Sequence, residues 1–201
     1  MDACDFGLKI YKETAFGAGV YYADVSGINI DEAKKYVSAY RLNKTEQLKQ
    51  TEDIRRSLGA ELLLIHALIE KGIDIPLNFR QNEYGKPCFE DNSGWNFNLA
   101  HAGKVAVCAI AETEVGVDVE KTDRKSERIA DRYFSAEEKN FRFSYIWTRK
   151  EALVKAEGTG ISLGLDRFSV IDSEVVISGD TYKIASIPIK ISGYDLALCV
   201  K

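Results

Sequence analysis

Valines at 115, 117 and 119 alternate with Gly116, Asp118 and Glu120, and that period of two predicts a half-buried strand. On such a strand Asp118 and Glu120 leave the same face, their Cα atoms roughly 6.5 Å apart at about 3.3 Å of rise per residue. Further along, Trp147–Lys155 contains neither Pro nor Gly, and Gly158 follows shortly after. A helix with a glycine just past its end is expected there. Trp147, Glu151 and Lys155 stack along it at i, i+4 and i+8, while Lys150 lies between Leu153 and Val154 around the axis. Charge interrupts the apolar stripe instead of occupying a separate face.

The remaining elements follow from simpler patterns. Leu8–Tyr11 and Gly19–Val25 read as strands, the second rich in Val and Tyr. Asn29 can cap a helix in which Ala33, Tyr36, Val37 and Tyr40 keep helical spacing. Arg41, Lys44 and Lys49 then fall in a polar run whose ordinary place is a solvated surface. The clearest helix starts near Thr51, with Glu52 and Asp53 in its first turn. Its stripe is Ile54, Leu58, Leu62, Ile65 and Ile69, and Lys71-Gly72 ends it. His66 among its leucines is expected to be a packed residue, whereas Arg55 and Arg56 in the early turns are better placed to reach an anion. Ser135 and Glu138 have capping-box spacing, which alone accounts for that glutamate. Further strands are expected at Arg167–Ile171, Val175–Ile177, Lys183–Ile187 and Leu196–Val200.

A short internal echo bears on the architecture. Gly103-Lys-Val-Ala-Val-Cys-Ala resembles Gly193-Tyr-Asp-Leu-Ala-Leu-Cys-Val with one gap. The expected fold class is α+β, with two similar halves, residues 1–112 and 113–201, packed face to face as a pseudo-dimer within one monomer.

Composition narrows the functional classes. At 201 residues the chain can bury a substantial core. A net charge of −4 speaks against general nucleic-acid binding. The most apolar run, Leu62–Ile69, is far shorter than the roughly 20 residues of a membrane span. Met1–Asp5 shows no signal-peptide pattern. Cys4, Cys88, Cys108 and Cys199 have no CxxC spacing, and Cys108 and Cys199 sit in apolar runs as buried thiols. These features fit a reducing cytoplasm.

Asp118, Glu120 and Glu151 brought together would repel one another unless a cation lay among them. Magnesium takes such oxygen ligands together with substrate phosphates. Lys150 and Lys155 would meet phosphate oxygens as charged donors. The plainer reading of Glu151 and Lys155 is an i, i+4 surface pair worth about 0.2–0.5 kcal/mol. His101, beside Ala100, Ala102 and Gly103, is open to either a structural hydrogen bond or an anion contact.

Gly116-Val-Asp-Val-Glu-Lys121 and Trp147-Thr-Arg-Lys-Glu-Ala-Leu-Val-Lys155 resemble the two signature motifs of 4′-phosphopantetheinyl transferases of the longer, two-lobed type. Asn82–Pro87, Phe97–Gly103, Arg132–Ser135 and Glu157–Leu163 extend the resemblance over most of the chain after Glu52. It implies a magnesium-dependent (or manganese-dependent) enzyme whose substrate is coenzyme A. The phosphopantetheine arm would pass to a serine of an acyl or peptidyl carrier protein, releasing 3′,5′-ADP.

Carried over by position, Asp118, Glu120 and Glu151 would hold the metal, and Lys155 with Lys150 would neutralise the phosphates. His101 would touch coenzyme A phosphates, and Gly85, Lys86 and Pro87 would hold the adenine and its ribose phosphate. Arg41, Lys44 and Arg56 would serve the 3′-phosphate. Glu151, Glu138 or a metal-bound water could each deprotonate the serine. Ala100 and Thr159 depart from a serine and a lysine frequent in the family. The basic run after the metal strand, with Arg124, Lys125 and Arg128, would steer an acidic carrier. The rivals are a metal-dependent hydrolase of nucleotide diphosphates and an inactive module that only binds coenzyme A or a carrier.

Overall fold

The computed structural model describes residues 7–74, 76–90 and 94–201; Cys4 and the other N-terminal residues read above lie outside that range. The chain opens with a hairpin of β1 (Tyr11–Ala15) and β2 (Ala18–Asp24). Its two-residue loop holds Phe16 and Gly17 at positive φ, 52° and 80°, the mirror-image turn whose twist matches antiparallel strands. That turn pairs Ala15 with Ala18 and starts the ladder at Tyr11. Strand expected over Leu8–Tyr11 is therefore displaced towards the turn.

The single helix expected after Asn29 is two. Asn29 caps α1 (Ile30–Ala33), and Ser38 caps α2 (Ala39–Glu46). The break comes where the Ser38 amide donates to the buried carboxylate of Glu61 at 2.6 Å, pulling the backbone out of helical geometry. Next, α3 (Thr51–Lys71) closes on Gly72 in the left-handed region at φ 65°. Its deepest face is Leu58, Leu62, Leu63, Leu64 and Leu68, a wider arc than the expected stripe, and Ile69 stands exposed. The small hairpin β3 (Phe79–Gln81) and β4 (Pro87–Phe89) precedes β5 (Asn96–Ala102), β6 (Val105–Ala111) and β7 (Val115–Lys121). Then come α4 (Glu127–Tyr133), a 3₁₀ turn at Glu138–Asn140 and α5 (Phe143–Glu157). The chain finishes with β8 (Glu174–Ile177), β9 (Asp180–Ser186) and β10 (Tyr194–Val200).

Two antiparallel four-stranded sheets result, ordered β1-β2-β6-β5 and β7-β10-β9-β8. They pack face to face through Val20, Tyr22, Val105 and Val107 on one side and Val117, Val119, Leu196 and Leu198 on the other. The outer face of the first sheet carries α3, against Tyr21, Cys108 and Ile110. On the second sheet the outer face carries α5, against Ala197 and Cys199. The layers run helix, sheet, sheet, helix, and the class is α+β. Both faces of the central strands are covered, which is why β6 is buried at every position. The connections also correspond: β2-α3-β5-β6 follows the same route through its sheet as β7-α5-β9-β10. The echoed segments fall on β6 and β10, the strands that return beside the first of each set.

Arg167–Ile171, expected as a strand, is irregular. Its backbone groups bond to buried side chains instead of a ladder. Lys150 takes the carbonyls of Leu165 and Phe168, Arg149 takes that of Val170, and Glu138 accepts from the Val170 amide. Among the described residues no helix is long and apolar enough to cross a membrane.

Candidate functional site

The site is built on the close approach of α5 to β7. A methyl group at Gly116 would collide with the Ala152 carbonyl and the Ala156 amide, so only glycine lets the helix settle on this strand. Val115, Val117 and Val119 point into the space between the sheets. Gly116, Asp118 and Glu120 therefore share the opposite face, under α5, where Glu151 and Lys155 are carried.

Asp118 is 7% exposed. Its Oδ1 accepts from Lys155 Nζ at 2.6 Å, and the same ammonium reaches the Val117 carbonyl at 3.3 Å. Lys155 thus turns to the strand, not to Glu151 in a surface pair. Asp118 Oδ2 is buried and has no hydrogen-bond partner among the described residues. Burial pushes the Asp118 carboxyl above its ordinary range against the pull of Lys155 and, more weakly, Arg124. Glu151 is raised in the same direction by burial, with Lys155 opposing and the nearby Asp118 charge adding to the effect. Glu120 is ion-paired with Arg124. Residues 118 and 151 thus meet closely enough to feel each other's charge.

Among the described residues no three acid, histidine or cysteine side chains are already arranged round one point. Lys155 occupies one oxygen of Asp118, and Arg124 holds Glu120. The donor set still suits a hard divalent cation. It is all oxygen, it carries an excess of negative charge, and it includes a buried acceptor oxygen with no donor. Asp118, Glu120 and Glu151 are the residues that would hold it.

Beside the acids lies a cleft of about 530 Å³ lined by Arg56, His101, Gly103, Glu120, Lys121 and Arg124. Arg56 donates to the Gly103 carbonyl at 2.7 Å and pairs with Asp53. His101 opens to solvent at this cleft. Loss of hydration against the surrounding walls holds its pKa below the ordinary value, and the cations Arg56, Lys155 and Arg41 lower it further. It is thus poised to gain a proton when an anion arrives. A second cleft of about 290 Å³ is shared by Gly85, Lys86 and Pro87 with Glu151, Val154 and Lys155. Asn82 fixes that wall: its side-chain amide donates to Gly158 at the end of α5, and its oxygen accepts from the Tyr84 and Lys86 amides. Lys86 itself pairs with Glu114 at 2.8 Å.

The structure takes four expected site residues away from these clefts. Lys150 and Glu138 are wholly buried and paired at 3.0 Å. Glu138 also completes the capping box with Ser135, donating its amide to Ser135 Oγ and accepting from the Ser135 amide. With every oxygen and proton engaged inside α5's packing, this pair can neither bind phosphate nor deprotonate a serine. Arg41 is buried in a network with Glu61 and Ser57, Nε to Oε2 at 2.9 Å. Its charge is felt at His101, while its Nε and Nη1 are engaged in that network. Lys44 is exposed, its ammonium 4.8 Å above the Tyr40 ring. His66 packs edge-on against Tyr21 as expected, and Arg55 bonds the Ile28 carbonyl at 3.4 Å while lining, with Arg56, a small pocket of about 40 Å³.

One supporting residue escaped the sequence reading. Asp195 lies directly opposite Glu120 in the β7–β10 register. It accepts two bonds from Arg142, at 2.9 and 2.6 Å, and one from Ser144 at 2.5 Å. These contacts fasten the start of α5 to β10 and so set where Glu151 projects. No local motif announces them, because Asp195 lies more than 50 positions from both Arg142 and Ser144.

The family model described as "4'-phosphopantetheinyl transferase superfamily" matches residues 114–199, the segment containing β7, α5 and β10. The chain is 34% identical over 178 residues to 4′-phosphopantetheinyl transferase ffp of Bacillus subtilis, covering 81% of this chain and 76% of that protein. It is 33% identical to 4′-phosphopantetheinyl transferase Sfp of Bacillus subtilis (strain 168), over 67% of this chain and 66% of that one. With 4′-phosphopantetheinyl transferase psf-1 of Bacillus pumilus the identity is 32%, over 72% of this chain and 68% of the relative.

Proposed function

Because the chain belongs to the 4′-phosphopantetheinyl transferase superfamily, we propose that it moves the 4′-phosphopantetheine arm of coenzyme A to a serine hydroxyl of an acyl or peptidyl carrier protein. The products would be the modified carrier and 3′,5′-ADP. The observation that carries this reading is the buried Asp118 Oδ2, an acceptor without a donor on the strand face under α5, with Glu151 near enough to feel the Asp118 charge.

In this reading Asp118, Glu120 and Glu151 hold a divalent cation, magnesium or manganese. When bound it supplies positive charge to the coenzyme A diphosphate as charge builds on the leaving phosphate. Lys155 reaches the same diphosphate from the α5 side. Arg56 and His101 bind anionic oxygens in the adjoining cleft, and His101 becomes protonated as they approach. Gly85, Lys86 and Pro87 wall the cleft that takes the nucleoside. Glu151, which lines the cleft shared with Lys155 and Lys86, is the group placed to accept the serine proton. Exposed Lys125 and Arg128 lie beyond the acid cluster and give an acidic carrier a basic approach.

The test is the dependence of 3′,5′-ADP release on the acceptor. A transferase releases it only with an unmodified carrier present. Release at the same rate from coenzyme A alone would assign the site to hydrolysis.

A further inference from the structure

We propose that Arg124 is a positioning residue, an internal counter-ion that holds Glu120 until a divalent cation takes that carboxylate, and that leaves the face of Trp147 when this happens. The inference rests on the metal-site reading above. Arg124 is ion-paired with Glu120 through Nη1, and its guanidinium lies 5.7 Å over the Trp147 ring. Its side chain is 38% exposed, so it has solvent to move into, whereas Glu120 is 14% exposed and fixed on the strand. Trp147 sits one helical turn before Glu151 on α5. Arg124 thus bridges the two elements that carry the three acids.

Three carboxylates here face two internal cations, Arg124 and Lys155. A metal ion taking Glu120 as ligand competes with Arg124 for the same oxygens. Exchange of one cation for another keeps the acids compensated at every stage, where loss of Arg124 without replacement would leave them mutually repelling. Lys125, next in the chain, is exposed and is not drawn into the cluster. The role therefore belongs to this guanidinium and not to the basic run as a whole.

Manganese binding, followed by the spin-resonance signal of free Mn²⁺, tests this without reference to turnover. Arg124→Gln should bind Mn²⁺ more tightly than the parent by about threefold or more, the order expected when a partly exposed competing ion pair is removed. Arg124→Lys, which restores the charge, should return towards the parent. In a Trp95→Phe background Trp147 is the one remaining tryptophan. Its emission should shift on adding Mg²⁺, and the shift should vanish when Arg124→Gln is added. Equal or weaker Mn²⁺ binding by Arg124→Gln overturns the proposal while leaving the metal site standing. Failure of both parent and variant to bind Mn²⁺ overturns the metal reading and this proposal together.

Discussion

Lys155 Nζ stands 2.6 Å from Asp118 Oδ1, while the other oxygen of the same buried carboxylate has no donor. A fold selected only for stability has little use for that arrangement, since an unsatisfied buried acceptor costs about 1–3 kcal/mol. Replacing Asp118 should therefore cost activity and not stability. Asp118→Ala and Glu151→Ala are each expected to lower transfer by about a hundredfold or more. Their thermal midpoints should stay near or above the parent's. Parent-like turnover in either variant contradicts the site assignment.

The depressed pKa of His101 leaves the ring neutral near pH 7 in the free protein. Bound phosphate favours the charged ring, so the complex holds more protons than the free protein. Coenzyme A affinity should then rise as pH falls from 8 towards 6, with net proton uptake on binding. Calorimetry in buffers of different ionisation enthalpy measures that uptake directly. His101→Ala should flatten the dependence, and an unchanged slope in that variant would place the proton elsewhere.

For Lys150 the expected effect lies on folding. Its ammonium is fully buried against Glu138, with the Leu165 and Phe168 carbonyls as further acceptors. Lys150→Met strands a buried carboxylate and two carbonyl acceptors, at a cost of about 3–5 kcal/mol. Coenzyme A affinity of the folded fraction should be unaltered. Denaturant unfolding together with a binding isotherm separates this from a direct phosphate contact, which would show the reverse.

Charge reversal at Lys125 and Arg128 addresses the carrier. Both are exposed, and neither belongs to the acid cluster. Lys125→Glu with Arg128→Glu should slow association with an acidic carrier by about tenfold at low salt and reduce its salt dependence. The Michaelis constant for coenzyme A should not move. Unchanged carrier kinetics across a salt series would remove these residues from docking.

The core of the site was legible because two local periodicities point the same way. Alternation over Val115–Glu120 puts the acids on one strand face, and helical spacing over Trp147–Lys155 stacks Glu151 with Lys155. Gly116 lets the two elements touch. Other features depend on contacts between residues far apart in the chain. Arg41 looked like a surface cation because nothing in its neighbourhood names Glu61, 20 residues away. Lys150 sits between two apolar residues on α5, which signals burial as readily as function, and its acceptors come from a later segment. That same segment, Arg167–Ile171, resembled a strand by composition, but its carbonyls bond to Lys150 and Arg149. In Ser135 and Glu138 the capping-box spacing was sufficient to foretell the two bonds that join them.

Intact-mass spectrometry tests the central claim most directly: an unmodified acyl or peptidyl carrier protein is incubated with this protein, coenzyme A and magnesium. The account predicts that the carrier gains one phosphopantetheine group at its serine, and that chelation of the metal or Asp118→Ala prevents the gain. A carrier of unchanged mass, with coenzyme A cleaved regardless of its presence, would contradict it.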